Sequence, residues 1–209
     1  MSLMTHPKMK QAKEQTTGHL RDLLWRFSVE QYHSMITAGI LDEDDQVELL
    51  EGWLVRKMTI NPKHRATVLL IMRQMMRMIP PGWYVDAQAP VTLDASEPEP
   101  DVVVARGDTV DYLERHPGAS DVTLVVEVSD ATLQRDRTRK KRIYARAGIA
   151  TYWIVNLINN TVEVYCEPQT SGKPDYRSRQ IYSRSETLPL VIDGLEIGQI
   201  HVAEILPKV

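Results

Sequence analysis

The stretch from Val122 to Asn156 reads VTLVVEVSDATLQRDRTRKKRIYARAGIATYWIVN. Val122–Val128 (VTLVVEV) is a dense run of β-branched residues, the pattern of a strand buried on both faces. A helix is expected from Leu133 to Ala147, stopped at Gly148, a residue suited to the left-handed cap. Thr151–Asn156 (TYWIVN) is a second buried strand. Strand, helix and strand in this order form a crossover unit, expected to be right-handed. The fold class is therefore α/β, or α+β with a mixed sheet.

The helix carries a second signal. At about 100° per residue, Leu133, Ile143, Tyr144 and Ala147 form one apolar stripe. Arg135, Arg139, Arg142 and Arg146 fall opposite, and Lys141 is displaced to the flank. Lys140 and Asp136 lie inside the apolar stripe, so Lys140 rather than its neighbour points at the sheet. Glu127 sits near the end of its strand between Val126 and Val128, and Asp101 opens a further buried run, DVVVA (Asp101–Ala105). Ionised side chains are rarely buried without a partner, because desolvation favours the neutral form. Two carboxylates at the ends of buried strands suggest a shared cation, and strand ends are where open α/β sheets bind ligands. A structural ion pair of Lys140 with Asp136 or Glu127 accounts equally well for the lysine.

Outward from this core, Ser28 and Gln31 have capping-box spacing before a helix from about Val29 to Ala38, ending at Gly39. The segment LDEDDQVELLEG then places six carboxylates between Asp42 and Glu51, most plainly a solvated acidic turn. Gly52–Met58 alternates as a strand. His64–Ile79 reads as a methionine-rich helix stopped by Pro80–Pro81, and short strands follow near Trp83–Asp86 and Pro90–Leu93. Asn159–Asn160 makes a hairpin turn between TYWIVN and TVEVYC. Residues 1–27 read as a polar arm, partly helical near Leu20–Trp25, ahead of one domain spanning 28–209.

Composition narrows the classes. The 209 residues are 43% hydrophobic and 25% charged, with 25 basic and 28 acidic residues and a net charge of −3. Those values exclude a disordered chain, a collagen-like repeat and a disulfide scaffold. No run of 18 apolar residues spans a membrane. The N-terminus lacks an apolar signal segment, and the single cysteine, Cys166, fits a reducing cytoplasm. Zinc-ligand spacing and a glycine-rich phosphate loop are both missing from the sequence.

The strings EPEPDVVVARG, LVVEVSDAT and DRTRKKRIYARAGIATYWIVN, in this order, resemble the Uma-two family of restriction endonucleases, a branch of the PD-(D/E)XK nuclease superfamily. The resemblance runs from about Ser28 to Tyr165, with a weaker tail. It implies a restriction-endonuclease-like core, a central mixed β-sheet flanked by helices. Residue by residue, Pro100–Asp101 matches the family's Pro-Asp pair and Glu127 its second acid. Lys140 matches its lysine, four residues after Asp136 and four before Tyr144. Glu48, in ELLEG, matches an early acid. The superfamily's lysine two positions after the second acid is here Ser129, so the lysine has migrated to the helix.

What the resemblance implies is a Mg²⁺-dependent endodeoxyribonuclease, with Mn²⁺ as an alternative cation. Asp101, Glu127 and the Val128 carbonyl would be the metal ligands, and Lys140 and Glu48 would complete the catalytic set. DNA is the expected partner, and a homodimer is expected because two strands need two sites. His64 and Gln88 also match family positions. On their residues alone His64 reads as a polar helix-start residue and Gln88 as a strand-edge amide, while Tyr144 and Trp153 read as core. Arg135, Arg137, Arg139, Lys141 and Arg142 are candidates for phosphate contacts, set against an ordinary solvated helix face. The rival to the enzyme is a nuclease-fold protein that is catalytically silent or partner-dependent and binds nucleic acid or protein.

Overall fold

The structure, a computed structural model, describes residues 24–42 and 44–207. Most of the arm read at 1–27 lies outside the described residues. Its last two residues belong to the fold: Phe27 N–H donates to Gly52 O at 2.9 Å.

Helix α1 (Val29–Thr37) begins at the expected capping box, with Ser28 Oγ accepting from Gln31 N and Gln31 Oε1 from Ser28 N. Strands β1 (Val47–Leu50) and β2 (Trp53–Arg56) form an antiparallel hairpin. Its two-residue turn, Glu51–Gly52, has positive φ at both positions, the geometry that matches strand twist. Helix α2 (Pro62–Met75) starts two residues before the expected point. Asn61 caps it and Pro62 occupies the first turn, where a missing N–H costs nothing.

Strands β3 (Trp83–Asp86), β4 (Val102–Arg106), β5 (Val122–Ser129), β6 (Thr151–Asn156), β7 (Thr161–Gln169) and β8 (Asp175–Ser183) form one six-stranded sheet in sequence order. Only the β5–β6 pair is parallel, so the sheet is mixed, as expected. The crossover between them is helical throughout and is here called α3. Leu133–Arg135 and Lys141–Ala147 are α-helical, and Asp136–Lys140 is a π-turn. Strands β9 (Thr187–Ile192) and β10 (Leu195–His201) make a second hairpin, followed by the short helix α4 (Val202–Ile205).

Both faces of the sheet are covered, which is why its strands lack polar alternation. Leu124, Val126 and Val128 pack on one face with α2, the β9–β10 hairpin and α4. Val125, Tyr152 and Ile154 pack on the other face with Ile143 and Tyr144 of α3. With a side-chain period of two, Glu127 and Ser129 therefore point toward α3. One expectation fails: Pro90–Leu93 is not a strand of the sheet. Beyond a positive φ at Gln88 the chain turns away, and only isolated bridges remain at Thr92 and Leu93.

Candidate active site

The edge of the β5–α3 unit opens into a cavity of ≈ 240 Å³ bounded by the β1–β2 hairpin and the start of α2. Asp101, Glu127, Lys140 and Glu48 all line it, together with Val128, His64 and Gln88.

Lys140 is 3% exposed and lies between two carboxylates. Its Nζ donates to Glu127 Oε1 at 2.8 Å and stands 3.1 Å from Glu48 Oε2. The Glu127 oxygen also accepts from Tyr144 OH at 2.7 Å. Tyr144 is thus a buried core ring whose hydroxyl belongs to this network, more than the pure packing residue expected. Burial by itself would lower the Lys140 pKa, but Glu127, Glu48 and Asp136 outweigh it and hold the ammonium charged. Burial is also the largest influence on Glu127 and lifts its carboxyl up to about 8. Lys140 opposes that rise, while Asp136, Asp101 and Glu48 add to it.

Glu48 corrects the reading of the Asp42–Glu51 segment as a solvated turn. It is 1% exposed, because β1 carries it inward against α3. Its Oε2 accepts from Glu99 N–H at 3.2 Å, and its Oε1 is buried with no hydrogen bond, 3.9 Å from Arg135 Nη1. The early acid is thus as much part of the centre as the other three.

Asp101 precedes β4 by one residue. Its Oδ2 accepts from Val128 N–H at 2.7 Å and from His64 Nε2 at 3.1 Å. His64 is therefore tied to the site and is not merely a helix-start residue. Burial opposes its protonation, yet Asp101, the Val128 carbonyl and Asp136 together raise its pKa. Gln88 is likewise more than an edge amide. Its backbone is left-handed (φ 56°), its N–H donates to Asp101 O at 3.3 Å, and it lines the cavity.

The π-turn explains how one short segment supplies two buried charges. Asp136 and Lys140 are its first and last residues and both face the sheet. Asp136 Oδ2 accepts from Ser129 Oγ at 2.7 Å, so the last residue of β5 anchors the turn that carries Lys140. Such π-turns concentrate at functional positions.

Besides Glu48 Oε1, two carboxylate oxygens at the cavity are left over. Asp101 Oδ1 and Glu127 Oε2 have no protein hydrogen bond among the described residues, and both residues line the cavity. Among the described residues no group of three or more His, Cys, Asp or Glu side chains could hold a metal ion. The donor set is instead two carboxylates, with Val128 beside them on the cavity wall, and so few protein oxygens suit a small hard cation that keeps most of its water.

The five basic residues expected to meet phosphates do not share one surface. Arg135 borders the cavity. Arg137 is paired with buried Glu163, which also binds Arg179 and Tyr165 OH. Lys141 pairs with Asp175 at 2.6 Å. Arg139 and Arg142 lie at the tip of the β1–β2 hairpin, against Glu51. Sequence reasoning missed Lys57 and Glu99, which pair at 2.9 Å on the cavity wall. The EPEPD string held the signal for Glu99, two residues before Asp101.

A family model described as "Uma2: Putative restriction endonuclease" matches residues 29–202. The chain belongs to the Uma2 family. All residues of the Uma2 chain named above at the cavity fall within that match. A crystal structure described as "a putative nuclease belonging to DUF820", from Anabaena variabilis ATCC 29413, shares the fold. Its TM-score is 0.60 at 13% identity, covering 86% of this chain and 97% of that one. No curated protein matches the Uma2 chain. Among the described residues no helix is long and apolar enough to cross a membrane.

Proposed function

We propose that this protein is a metal-dependent endonuclease that hydrolyses DNA phosphodiester bonds at the Asp101–Glu127–Lys140–Glu48 centre. The observation that carries this reading is the convergence of all four side chains on one cavity, with one oxygen of Asp101 and one of Glu127 left for a ligand. Asp101, Glu127 and the Val128 carbonyl would hold Mg²⁺ or Mn²⁺. Such a cation, when bound, supplies charge stabilisation at the phosphate and a more acidic water.

The remaining roles belong to the chain itself. Three carboxylates keep Lys140 protonated, so it is a poor base. It acts as a fixed cation that orients the phosphate and neutralises charge developing on it. Glu48 holds Lys140 in place through the 3.1 Å contact. His64 and the Val128 N–H fix the Asp101 carboxylate, leaving its other oxygen directed at the ligand. Arg135, at the rim, meets a flanking phosphate.

The test is nicking of supercoiled plasmid at low salt in Mg²⁺ or Mn²⁺, with EDTA as control. The wild type is run beside Asp101→Asn and Glu127→Gln, and Mn²⁺ uptake is followed by calorimetry. Metal-dependent nicking by the wild type alone supports the enzyme. Binding of DNA with neither nicking nor Mn²⁺ uptake would replace it with the silent nuclease-fold binder.

A further inference from the structure

Beside the cavity, on the outer side of the same helix, a cleft of ≈ 570 Å³ runs between α3, the tip of the β1–β2 hairpin and the loop at Gly172–Pro174. Its charge is lopsided. Glu51, at the hairpin tip, takes a two-pronged pair from Arg142, is 3.2 Å from Arg146 and 4.0 Å from Arg139. Arg142 and Arg146 both donate to this carboxylate and Arg139 stands just beyond hydrogen-bond reach, so three guanidiniums share a single negative charge. Arg26, stacked over Trp53 at 5.7 Å, and Lys173 also line the cleft. Neither has a carboxylate within ion-pair distance among the described residues. Five cations therefore face one anion.

The cleft is also built rather than incidental. Arg139, Arg142 and Arg146 recur on one helical face. The hairpin tip is pinned by Glu51 N–H to Ser96 Oγ, Gly52 N–H to Ala95 O and Phe27 N–H to Gly52 O. A Cβ at Gly52 would approach Arg26 Cβ to 2.7 Å, so glycine there lets the Arg26 segment close the wall. Glu51 itself occupies a left-handed turn position that favours Asn, Asp or Gly. Turn chemistry therefore does not account for a glutamate at this point, whereas the arginines it gathers do.

We infer that this cleft is a track for the phosphodiester backbone of the nucleic-acid strand leaving the candidate active site. The identity of the polymer rests on the nuclease reading above; the surplus charge does not. Glu48 in the cavity and Glu51 in the cleft are three residues apart on one hairpin. At about 3.3 Å per residue the two sites are about 10 Å apart along it, the axial rise of roughly three base pairs of a duplex.

The test is fluorescence anisotropy of the full chain with a labelled single-stranded oligonucleotide, in EDTA so that nothing is cut, over a salt series. Arg26→Gln with Lys173→Gln leaves the Glu51 clamp intact and should lower the slope of log K against log salt by about 1.4. Glu51→Asn keeps a residue suited to the turn while removing the one anion, and it should tighten binding, which a purely structural clamp would not do. Arg73→Gln with Arg77→Gln, on and just beyond α2, makes the same change in net charge and should leave the slope as it is. Failure of the wild type to bind overturns the track, as does an equal effect of the α2 pair. Displacement by inorganic phosphate at matched ionic strength also overturns it, in favour of a small-anion site. Plasmid nicking in Mg²⁺ separates the two ideas: nicking with unchanged salt slopes removes the track alone, and changed slopes with no nicking remove the nuclease alone.

Discussion

Lys140 Nζ stands 3.1 Å from Glu48 Oε2 although the two residues sit on a helix and a hairpin distant in sequence. This contact closes the β1–β2 hairpin over the α3 crossover and makes the early acid a partner of the helical lysine. It also makes Lys140 part of the fold as well as of the proposed chemistry.

Lys140→Met should therefore abolish cleavage and also destabilise the protein, by about 3 kcal/mol, because it strands two buried carboxylates without their cation. Adding Glu127→Gln should recover part of that loss by removing one of the charges. Urea unfolding of the single and double variants checks this. Equal stability of Lys140→Met and wild type would refute the buried-pair account.

Asp101→Asn is expected to separate function from folding. The amide keeps an acceptor for Val128 N–H, so the stability loss should be about 1 kcal/mol or less. Mn²⁺ uptake and nicking should both disappear. Calorimetry beside a thermal melt reads the two effects independently.

The pH dependence of the metal-free protein follows from Glu127. Its carboxyl is raised from 4.5 to about 8, chiefly by burial. Between those values the folded state holds more protons than the unfolded state, so stability falls as pH rises. Asp136, lifted by burial, and His64, raised by Asp101 against the effect of burial, act in the same direction. The Tm measured in EDTA should drop from pH 5.5 toward pH 8 (within the window set by Glu127), and Glu127→Gln should flatten the change. A Tm that climbs over this range in both proteins would contradict the assignment.

Arg137→Ala should cost stability rather than nucleic-acid affinity. The side chain is committed to Glu163, a carboxylate 1% exposed that would then keep Arg179 as its one guanidinium partner beside the Tyr165 hydroxyl. A loss of about 1–3 kcal/mol is expected from a buried charged hydrogen bond, with the salt slope for oligonucleotide binding unchanged. The same measurements on Arg142→Gln should show the slope falling.

Much of this was legible in the chain because it follows from local periodicity. The β-branched runs at Val102–Ala105, Val122–Val128 and Thr151–Asn156 announce strands covered on both sides, and the wheel over Leu133–Ala147 separates Lys140 from Lys141. Alternation along a strand and rotation along a helix are properties of the nearest few residues, so sequence alone determines them. The family motifs carried Asp101, Glu127, Lys140 and Glu48 as a set.

Tertiary structure decided what those side chains meet. Whether Glu48 and Glu51 lie in solvent or against α3 depends on how the hairpin packs on the helix, which no local pattern encodes. The basic residues of α3 are alike in charge, yet they divide among the cavity, Glu163, Asp175 and Glu51 according to which strand or hairpin stands opposite each one. The π-turn and Ser129 anchor Asp136 and Lys140 beside Glu127 through contacts between elements brought together only by the closed sheet. Periodicity sets which way a side chain points; the charge it finds there is set by the packing of distant segments.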